Sequence, residues 1–232
     1  MSSYDYVIVG GGSAGCVLAA RLSEDPAVRV CLLESGPDGS SSWVTVPAGV
    51  IGTVPTRKFN WAFKSVPQPG LGNRRSYMPR GKVLGGSSSI NAMVYTRGHA
   101  ADYGQWEALG NPGWGWQDVL PYFRKSENNE RGADRYHGSG GPLNVADLQS
   151  PNPFVNVFLD AARQAGLPSN ADFNGASQEG AGPYQVTQIE GERCSAARAF
   201  LDPARSRRNL TVITGAHATR IVLEGRRATG VA

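Results

Sequence analysis

Three glycines, one carboxylate and a run of small polar residues carry most of the chemistry this sequence can do. Gly10, Gly12 and Gly15 follow the apolar run Tyr6-Val7-Ile8-Val9. They open a helical pattern through Val17, Leu18, Arg21 and Leu22 that Pro26 closes. A second apolar run, Val28 to Leu33, stops at Glu34-Ser35-Gly36. In that order Gly10 makes a tight turn, Gly12 lets a pyrophosphate approach, and Gly15 lets the helix lie against the strand. The helix N-terminus then presents free N–H groups and a partial positive charge, and favours an anion by roughly 0.3–1 kcal/mol. Glu34 stands where a carboxylate accepts both hydroxyls of an adenosine ribose and repels a 2′-phosphate. Glycine spacing alone is weak evidence. Strand, helix, strand and acid in register predict a dinucleotide site, without separating NAD from FAD.

The second stretch is Gly81-Lys82-Val83-Leu84-Gly85-Gly86-Ser87-Ser88-Ser89-Ile90-Asn91-Ala92-Met93-Val94-Tyr95-Thr96-Arg97-Gly98. It shows neither helical nor strand periodicity. Glycine lets main chain come close to a flat ligand, and successive Ser and Gly residues expose N–H groups that suit electron-rich atoms. A flexible linker is the ordinary fate of such a run. A solvated linker would not go straight on to Ile90, Ala92, Met93 and Val94, so the stretch predicts a buried cradle for a ring system.

Other reactive residue types lack such company. His99 sits on a polar turn, His137 in a Gly-rich loop and His217 at a strand start, and each reads as a surface or structural residue. Cys16, Cys31 and Cys194 have no CxxC spacing. Cys16 falls in a helical pattern and Cys31 in a strand pattern, as small core residues do. No metal cluster is spelled out. The 3 cysteines fit a reducing compartment.

These residues need a scaffold, and the composition allows one. The chain has 232 residues, 40% apolar and 18% charged, as globular proteins do. Net charge is +4, with basic residues scattered or paired rather than striped, which argues against nucleic acid. No apolar run reaches membrane-spanning length and Met1-Ser2-Ser3-Tyr4-Asp5 lacks a basic start. The expectation is a soluble cytoplasmic protein, with peripheral attachment to the inner membrane left open.

Pro37 to Arg80 is a long irregular connection, and Trp43, Phe59, Trp61 and Phe63 argue for a packed, ligand-covering excursion, though any one of them alone reads as ordinary core filling. Helices are predicted over Ala101 to Leu109, Gln117 to Ser126 and Pro153 to Ala165. In the last, Phe154, Val157, Phe158, Ala161, Ala162 and Ala165 share a face. Short strands are predicted at Pro142 to Val145 and Tyr184 to Ile189. Ser195 reads as the N-cap of a helix over Ala196 to Leu201 that ends at Asp202-Pro203. Asn209 to Gly215 is a third apolar strand, and His217 to Leu223 with Ala228 to Ala232 a hairpin.

Together these residues resemble the N-terminal part of the glucose–methanol–choline flavoprotein oxidoreductases, essentially from end to end. Gly81-Lys82-x-Leu84-Gly85-Gly86-Ser87-Ser88-x-Ile90-Asn91-x-x-x-Tyr95-x-x-Gly98 is similar to that family's first signature, with Gly104 standing where a polar or acidic residue usually ends it. The resemblance implies an α/β fold: a Rossmann-like FAD-binding domain with a doubly wound parallel sheet and a β-hairpin, plus part of an α+β substrate domain. It places an incomplete FAD domain at 1–140 and 206–232 and part of the substrate domain at 141–205. It implies that Gly10, Gly12, Ser13, Ala14 and Gly15 hold the pyrophosphate and that Glu34 and Ser35 lie at the ribose. The backbone of Ala218 would meet the adenine. The flavin would lie on Val83, Gly85, Gly86, Ser87, Asn91, Ala92, Met93 and Val94. Some members attach flavin through a histidine where this chain has Ile90, so the FAD is expected to be non-covalent.

Asn60-Trp61-Ala62-Phe63, Ser88 to Tyr95 and Ser195 to Leu201 look like the bacterial alcohol and choline dehydrogenases of the family. The implied reaction is hydride transfer from the carbon of an alcohol to flavin N5, giving an aldehyde or ketone, with electrons passed to a quinone or dye-like acceptor. The family's catalytic histidine and its partner lie far toward the C-terminus, so no catalytic residue is assigned and a C-terminal half is expected to complete the enzyme. Alternatives are a module that holds FAD and catalyses nothing alone, and an oxidase of the same family that uses O2. An NAD dehydrogenase leaves the cradle and the Pro37 to Arg80 excursion unexplained.

Overall fold

Alternating strand and helix propensity at the N-terminus forces a parallel arrangement, because two strands joined through one helix must run the same way. In the computed structural model, which describes residues 3–232, β1 (Tyr6–Val9), α1 (Ser13–Leu22) and β2 (Val30–Leu33) form that unit. β2 is central in a parallel sheet. Tyr6 pairs with Val30 on one side, and Val30 pairs with Leu210 of the Leu210–Ile213 strand on the other. The chain divides into two compact units, Met1–Ala92 with Glu192–Ala232, and Met93–Gly191. The sequence reading drew its boundaries at 140/141 and 205/206.

In the first unit, Val30 and Leu32 are fully buried, as a central parallel strand requires. β1 departs from the expectation of a buried strand. It lies at the edge of the sheet, and Tyr6, Val7 and Val9 are 49%, 40% and 54% exposed. Its apolar sequence suits two covered faces, and among the described residues only β2 pairs with it. α1 reaches the sheet through Gly15, where a Cβ would come within 2.0 Å of the Gly10 carbonyl oxygen. Cys16 and Ala19 fill the contact, and burial pushes the Cys16 thiol up to about 11, an unreactive core thiol.

The expected helix after Ser195 is a π-turn over Ala197–Leu201 that runs on into Asp202–Ala204, although Ser195 Oγ does accept from the Arg198 N–H at 3.3 Å. Pro203 does not end the run, which continues to Ala204. The strand expected from His217 begins only at Ile221. Ile221–Glu224 pairs with Arg227–Val231, with a register shift between Val222 and Leu223.

The Pro37 to Arg80 excursion is ordered by short turns, Ser42–Thr45, Pro47–Gly49 and Val50–Thr53, and by the pairing of Phe63–Lys64 with Tyr77–Met78. Val44, Phe59, Val83 and Ile90 pack as one buried cluster, which seats the excursion on the cradle. Asn60 knots it: Nδ2 donates to the Val54 carbonyl at 2.6 Å, and Oδ1 accepts from the Ala62 and Arg80 N–H groups at 2.9 and 2.8 Å. Trp43 and Phe63 are half-exposed and do not belong to that core.

The second unit holds helices α2 (Ala100–Ala108), α3 (Trp116–Ser126) and α4 (Phe154–Gln164) and a short parallel ladder of Glu127–Asn129 with Leu143–Val145. α4 has the expected amphipathic face, but Phe154, Val157 and Phe158 are 76%, 61% and 69% exposed. The Tyr184 to Ile189 strand shrinks to Gln188–Ile189, preceded by single bridges from Val186 to Val94 and Ala146. No helix among the described residues is long and apolar enough to cross a membrane.

Candidate cofactor site

The phosphate loop is built around conformations that only glycine takes easily. Gly10 has φ +95° and turns the chain off β1 into α1. Gly12 caps α1 without any side-chain cap bond, and Ser13 and Ala14 stand exposed at its first turn. The first N–H groups of a helix have no partner within it, so these donors point to whatever lies beyond Gly12. A Cβ on Gly12 would meet nothing within 4 Å, which leaves open space over that end.

Glu34 closes the loop from the tip of β2. Oε2 accepts from the Gly11 N–H and Oε1 from the Gly36 N–H, each at 2.8 Å, and the residue is 5% exposed. Sequence reasoning gave Glu34 to a ribose and missed this backbone clamp. A carboxylate has about four acceptor positions, so two amides leave capacity for hydroxyls. Gly36 in turn is wedged against the cradle, where a Cβ would fall 1.9 Å from the Lys82 carbonyl oxygen.

The cradle is a folded turn rather than a loose loop. Gly86–Ser89 form a 3₁₀ turn entered through Gly85 at φ +86° and Gly86 at φ +55°. Gly85 N–H donates to the Gly11 carbonyl at 2.7 Å, and a Cβ on Gly86 would come within 2.7 Å of Gly12 Cα. Cradle and phosphate loop are thus one surface. Ser89 Oγ donates to the Leu84 carbonyl at 2.7 Å, and Ser87 Oγ accepts from the Gly81 N–H at 3.1 Å. Val83, Gly85 and Gly86 are buried, whereas Ser87, Asn91 and Ala92 are exposed, which gives the turn a buried floor and an open rim. Met93 and Val94 belong to the second unit. There Met93 has φ +63° and its carbonyl accepts from the Thr187 N–H at 2.9 Å, while Val94 is half-exposed.

Beyond the ends of β2 and the Leu210–Ile213 strand lies a small aromatic group. Ser35 Oγ is 3.2 Å from His217 Nδ1, and the His217 ring is 5.6 Å from that of Trp61. Lys82 Nζ lies 4.6 Å from the Trp61 ring centroid. Ala218, half-buried, follows His217, and Ala216 N–H donates to the Glu34 carbonyl at 2.9 Å. Lys82 and His217 were not among the expected cofactor-binding residues, and Trp61 was named only as part of the covering excursion; no spacing rule links positions so far apart.

Arg193 was likewise missed. It is 2% exposed, and Nε donates to the Val44 carbonyl at 2.9 Å. Nη1 reaches the Asn91 carbonyl and Oδ1, both at 2.8 Å, and the Ser88 carbonyl at 3.2 Å. Nη2 is buried without a hydrogen-bond partner.

The histidines are structural in different ways. His99 caps α2, accepting from the Ala101 N–H at 3.0 Å while Asp102 accepts from its own N–H at 2.9 Å. His137 is structural rather than surface-exposed. It is 5% exposed, 3.1 Å from Glu127 Oε1 and 2.9 Å from Asp172 Oδ2. The Glu127 contact holds its pKa above the usual imidazole value. Burial pushes Glu127 up, but His137, the Gly138 N–H and Arg97 outweigh it and hold the carboxyl below its ordinary range. No group of three or more metal-ligating side chains occurs among the described residues. Ser87, Asn91 and Ala92, the open rim, offer a hydroxyl, an amide and a methyl, none of them a base at neutral pH. Loop, helix end and turn together make the candidate site for a dinucleotide and its flat ring.

The family model described as GMC oxidoreductase matches residues 4–232. The chain is 52% identical over 229 residues to an alcohol dehydrogenase [acceptor] of Pseudomonas putida, covering 98% of this chain and 42% of that protein. It is 49% identical over 235 residues to the mitochondrial choline dehydrogenase of Homo sapiens, covering 98% of this chain and 40% of that one. Among solved structures, pyridoxine 4-oxidase from Mesorbium loti superposes with a TM-score of 0.93 at 38% identity, covering 99% of this chain and 45% of that one. An FAD-dependent oxidoreductase from Chaetomium thermophilum does so with a TM-score of 0.89 at 34% identity, over 99% and 41%. The chain spans about two fifths of the length of the relatives it matches.

Proposed function

We propose, from the premise that this chain belongs to the GMC oxidoreductase family, that it is the FAD-holding part of an enzyme that oxidises choline or another primary alcohol. The family is FAD-dependent. The observation that carries the reading for this chain is the contact of Gly85 and Gly86 with Gly11 and Gly12, which joins a phosphate loop to a ring cradle on one surface.

Bound FAD supplies a two-electron, hydride-accepting ring. The residues of the chain do the holding. The N–H groups at Ser13 and Ala14 receive the pyrophosphate with the α1 dipole behind them. Glu34 fixes the loop and offers its remaining lone pairs to the ribose, with Ser35 beside it and the Ala218 main chain at the adenine. Val83, Gly85, Gly86, Ser87, Asn91 and Ala92 form the bed for the ring. The FAD is non-covalent in this reading. Ile90 is 3% exposed in the cluster with Val44, Phe59 and Val83, and an alkyl side chain has no atom for a flavin bond. The proton acceptor, and the quinone or other electron acceptor, belong to the whole enzyme.

The test is the purified protein itself. Expected are bound, acid-extractable FAD with a flavin spectrum, and none after Gly12→Val. Colourless wild type, or a fully loaded Gly12→Val, would sink the assignment. Alcohol-dependent dye reduction separates an active enzyme from a module that holds FAD and turns nothing over. Oxygen consumption without dye would favour an oxidase.

A further inference from the structure

The Arg193 side chain is a buried cation held only by neutral oxygens. Its partners are the main-chain carbonyls of Val44, Ser88 and Asn91 and the Asn91 side-chain oxygen. Arg193 lines a cavity with three carboxylates, and all three are engaged elsewhere. Glu192 pairs with Arg198 at 2.6 Å, Asp202 with Arg205 at 2.9 Å, and Asp38 accepts from Ser40 N–H and Oγ at 3.1 and 3.0 Å. Burial lowers the Arg193 pKa to about 10, which still leaves the group charged at neutral pH.

A desolvated charge without a counter-ion is unfavourable, and Nη2 adds a buried donor with no acceptor. A purely structural tie between two turns needs only a neutral donor. What the charge adds is a positive field beside the turn that carries Asn91, on the rim of the ring bed. We propose that Arg193 is a positioning residue of the cofactor cradle. Its fork ties the Ser88–Asn91 turn to the Val44 main chain, and its uncompensated charge makes the bound flavin easier to reduce. Taking up two electrons and one proton leaves one additional negative charge on the ring, which a nearby buried cation favours. A planar guanidinium spans Val44 and Asn91 at once, whereas an ammonium on a flexible stem does not.

This inference rests on the FAD reading, and its test keeps the two apart. FAD affinity is measured by flavin fluorescence, and the midpoint potential by equilibration with a reference dye, in wild type, Arg193→Lys and Arg193→Gln. Arg193→Lys keeps the charge, so its potential stays at the wild-type value while FAD binds at least tenfold more weakly. Arg193→Gln loses both. Its equilibrium against the dye shifts at least tenfold toward oxidised flavin, about 30 mV for a two-electron couple. Wild-type affinity in Arg193→Lys, or wild-type potential in Arg193→Gln, overturns the proposal. Should Arg193→Gln not fold or not hold FAD, Arg193→Lys decides: weakened binding at an unchanged potential supports it, and a lowered potential overturns it. Wild type without FAD refutes the cofactor reading and takes this inference with it. Wild type with FAD and unmoved variants refutes this inference alone.

Discussion

Glu34 Oε2 accepts from the Gly11 N–H at 2.8 Å, so the acid at the end of β2 holds the glycine-rich loop in place by itself. Its other oxygen holds Gly36 at the same distance. Glu34→Gln has one acceptor for two amides and sets an NH2 group against the other N–H. An unsatisfied buried group costs on the order of 1–3 kcal/mol. Denaturant unfolding of the FAD-free protein is expected to show a loss of that size, with weaker FAD binding besides. Unchanged stability of the FAD-free variant would mean that the carboxylate serves only the ligand.

Gly86 is where the two halves of the site touch. Gly86→Ala brings a Cβ within 2.7 Å of Gly12 Cα at φ +55°, so both the contact and the backbone oppose it. Left-handed strain alone costs on the order of 1–3 kcal/mol. FAD binding should be lost with the protein destabilised. Gly104→Ala is the control. It lies inside α2 with nothing within 4 Å of its Cβ, and should stabilise by about 0.5–1 kcal/mol. If both substitutions behave alike, the packing at Gly86 is not what holds the site together.

What could be read from the sequence follows from what each residue type requires. Gly10, Gly15 and Gly86 are legible because a turn or a close backbone approach admits no side chain. Glu34 was legible as an acid at a strand tip, but its amide partners depend on how the loop folds back. Arg193 was not legible, since its partners at Val44, Ser88 and Asn91 come from turns without a periodic signal. β1 and α4 mark a different limit. A continuous apolar run marked β1 and periodicity marked the apolar face of α4, but burial depends on what else packs there, which an apolar pattern does not encode.

The exposed face of α4 yields a direct prediction. Phe154 and Phe158 are 76% and 69% exposed, and substitutions at such surface positions usually change stability by less than about 0.5 kcal/mol. Phe154→Ser/Phe158→Ser should keep the wild-type denaturation midpoint and reduce self-association in sedimentation, because contiguous exposed apolar groups favour contact. A loss of about 3–5 kcal/mol, the cost of emptying a core phenylalanine, would show that this face is covered in solution.

The buried charges of the second unit predict an optimum of stability with pH. His137 faces Glu127 at 3.1 Å, Asp172 at 2.9 Å and Asp134, whose carboxylate accepts from its N–H at 2.7 Å. Arg97 reaches it through Glu127 at 2.6 Å, and Arg124 Nε donates to its carbonyl at 3.3 Å. Its folded pKa is raised above 6.5, so its contribution is complete below 6.5 and is lost as pH rises through the raised value. Glu127 is held below 4.5, so its contribution is complete above 4.5 and is lost as pH falls through the lowered value. Asp134 is also lowered: burial pushes it up, but the His137 and Tyr136 N–H groups outweigh this, so it adds to the acid limb. Stability of this unit, followed by the fluorescence of Trp106, Trp114 and Trp116 in urea, should therefore be greatest between 4.5 and 6.5 and fall on both sides. His137→Gln keeps a hydrogen-bonding amide but cannot take up the proton, so the alkaline limb should flatten while the acid limb stays. A wild-type midpoint that is flat from about pH 6 to pH 9, the range in which imidazoles titrate, would show that the Glu127–His137–Asp172 chain carries no charge-dependent stability.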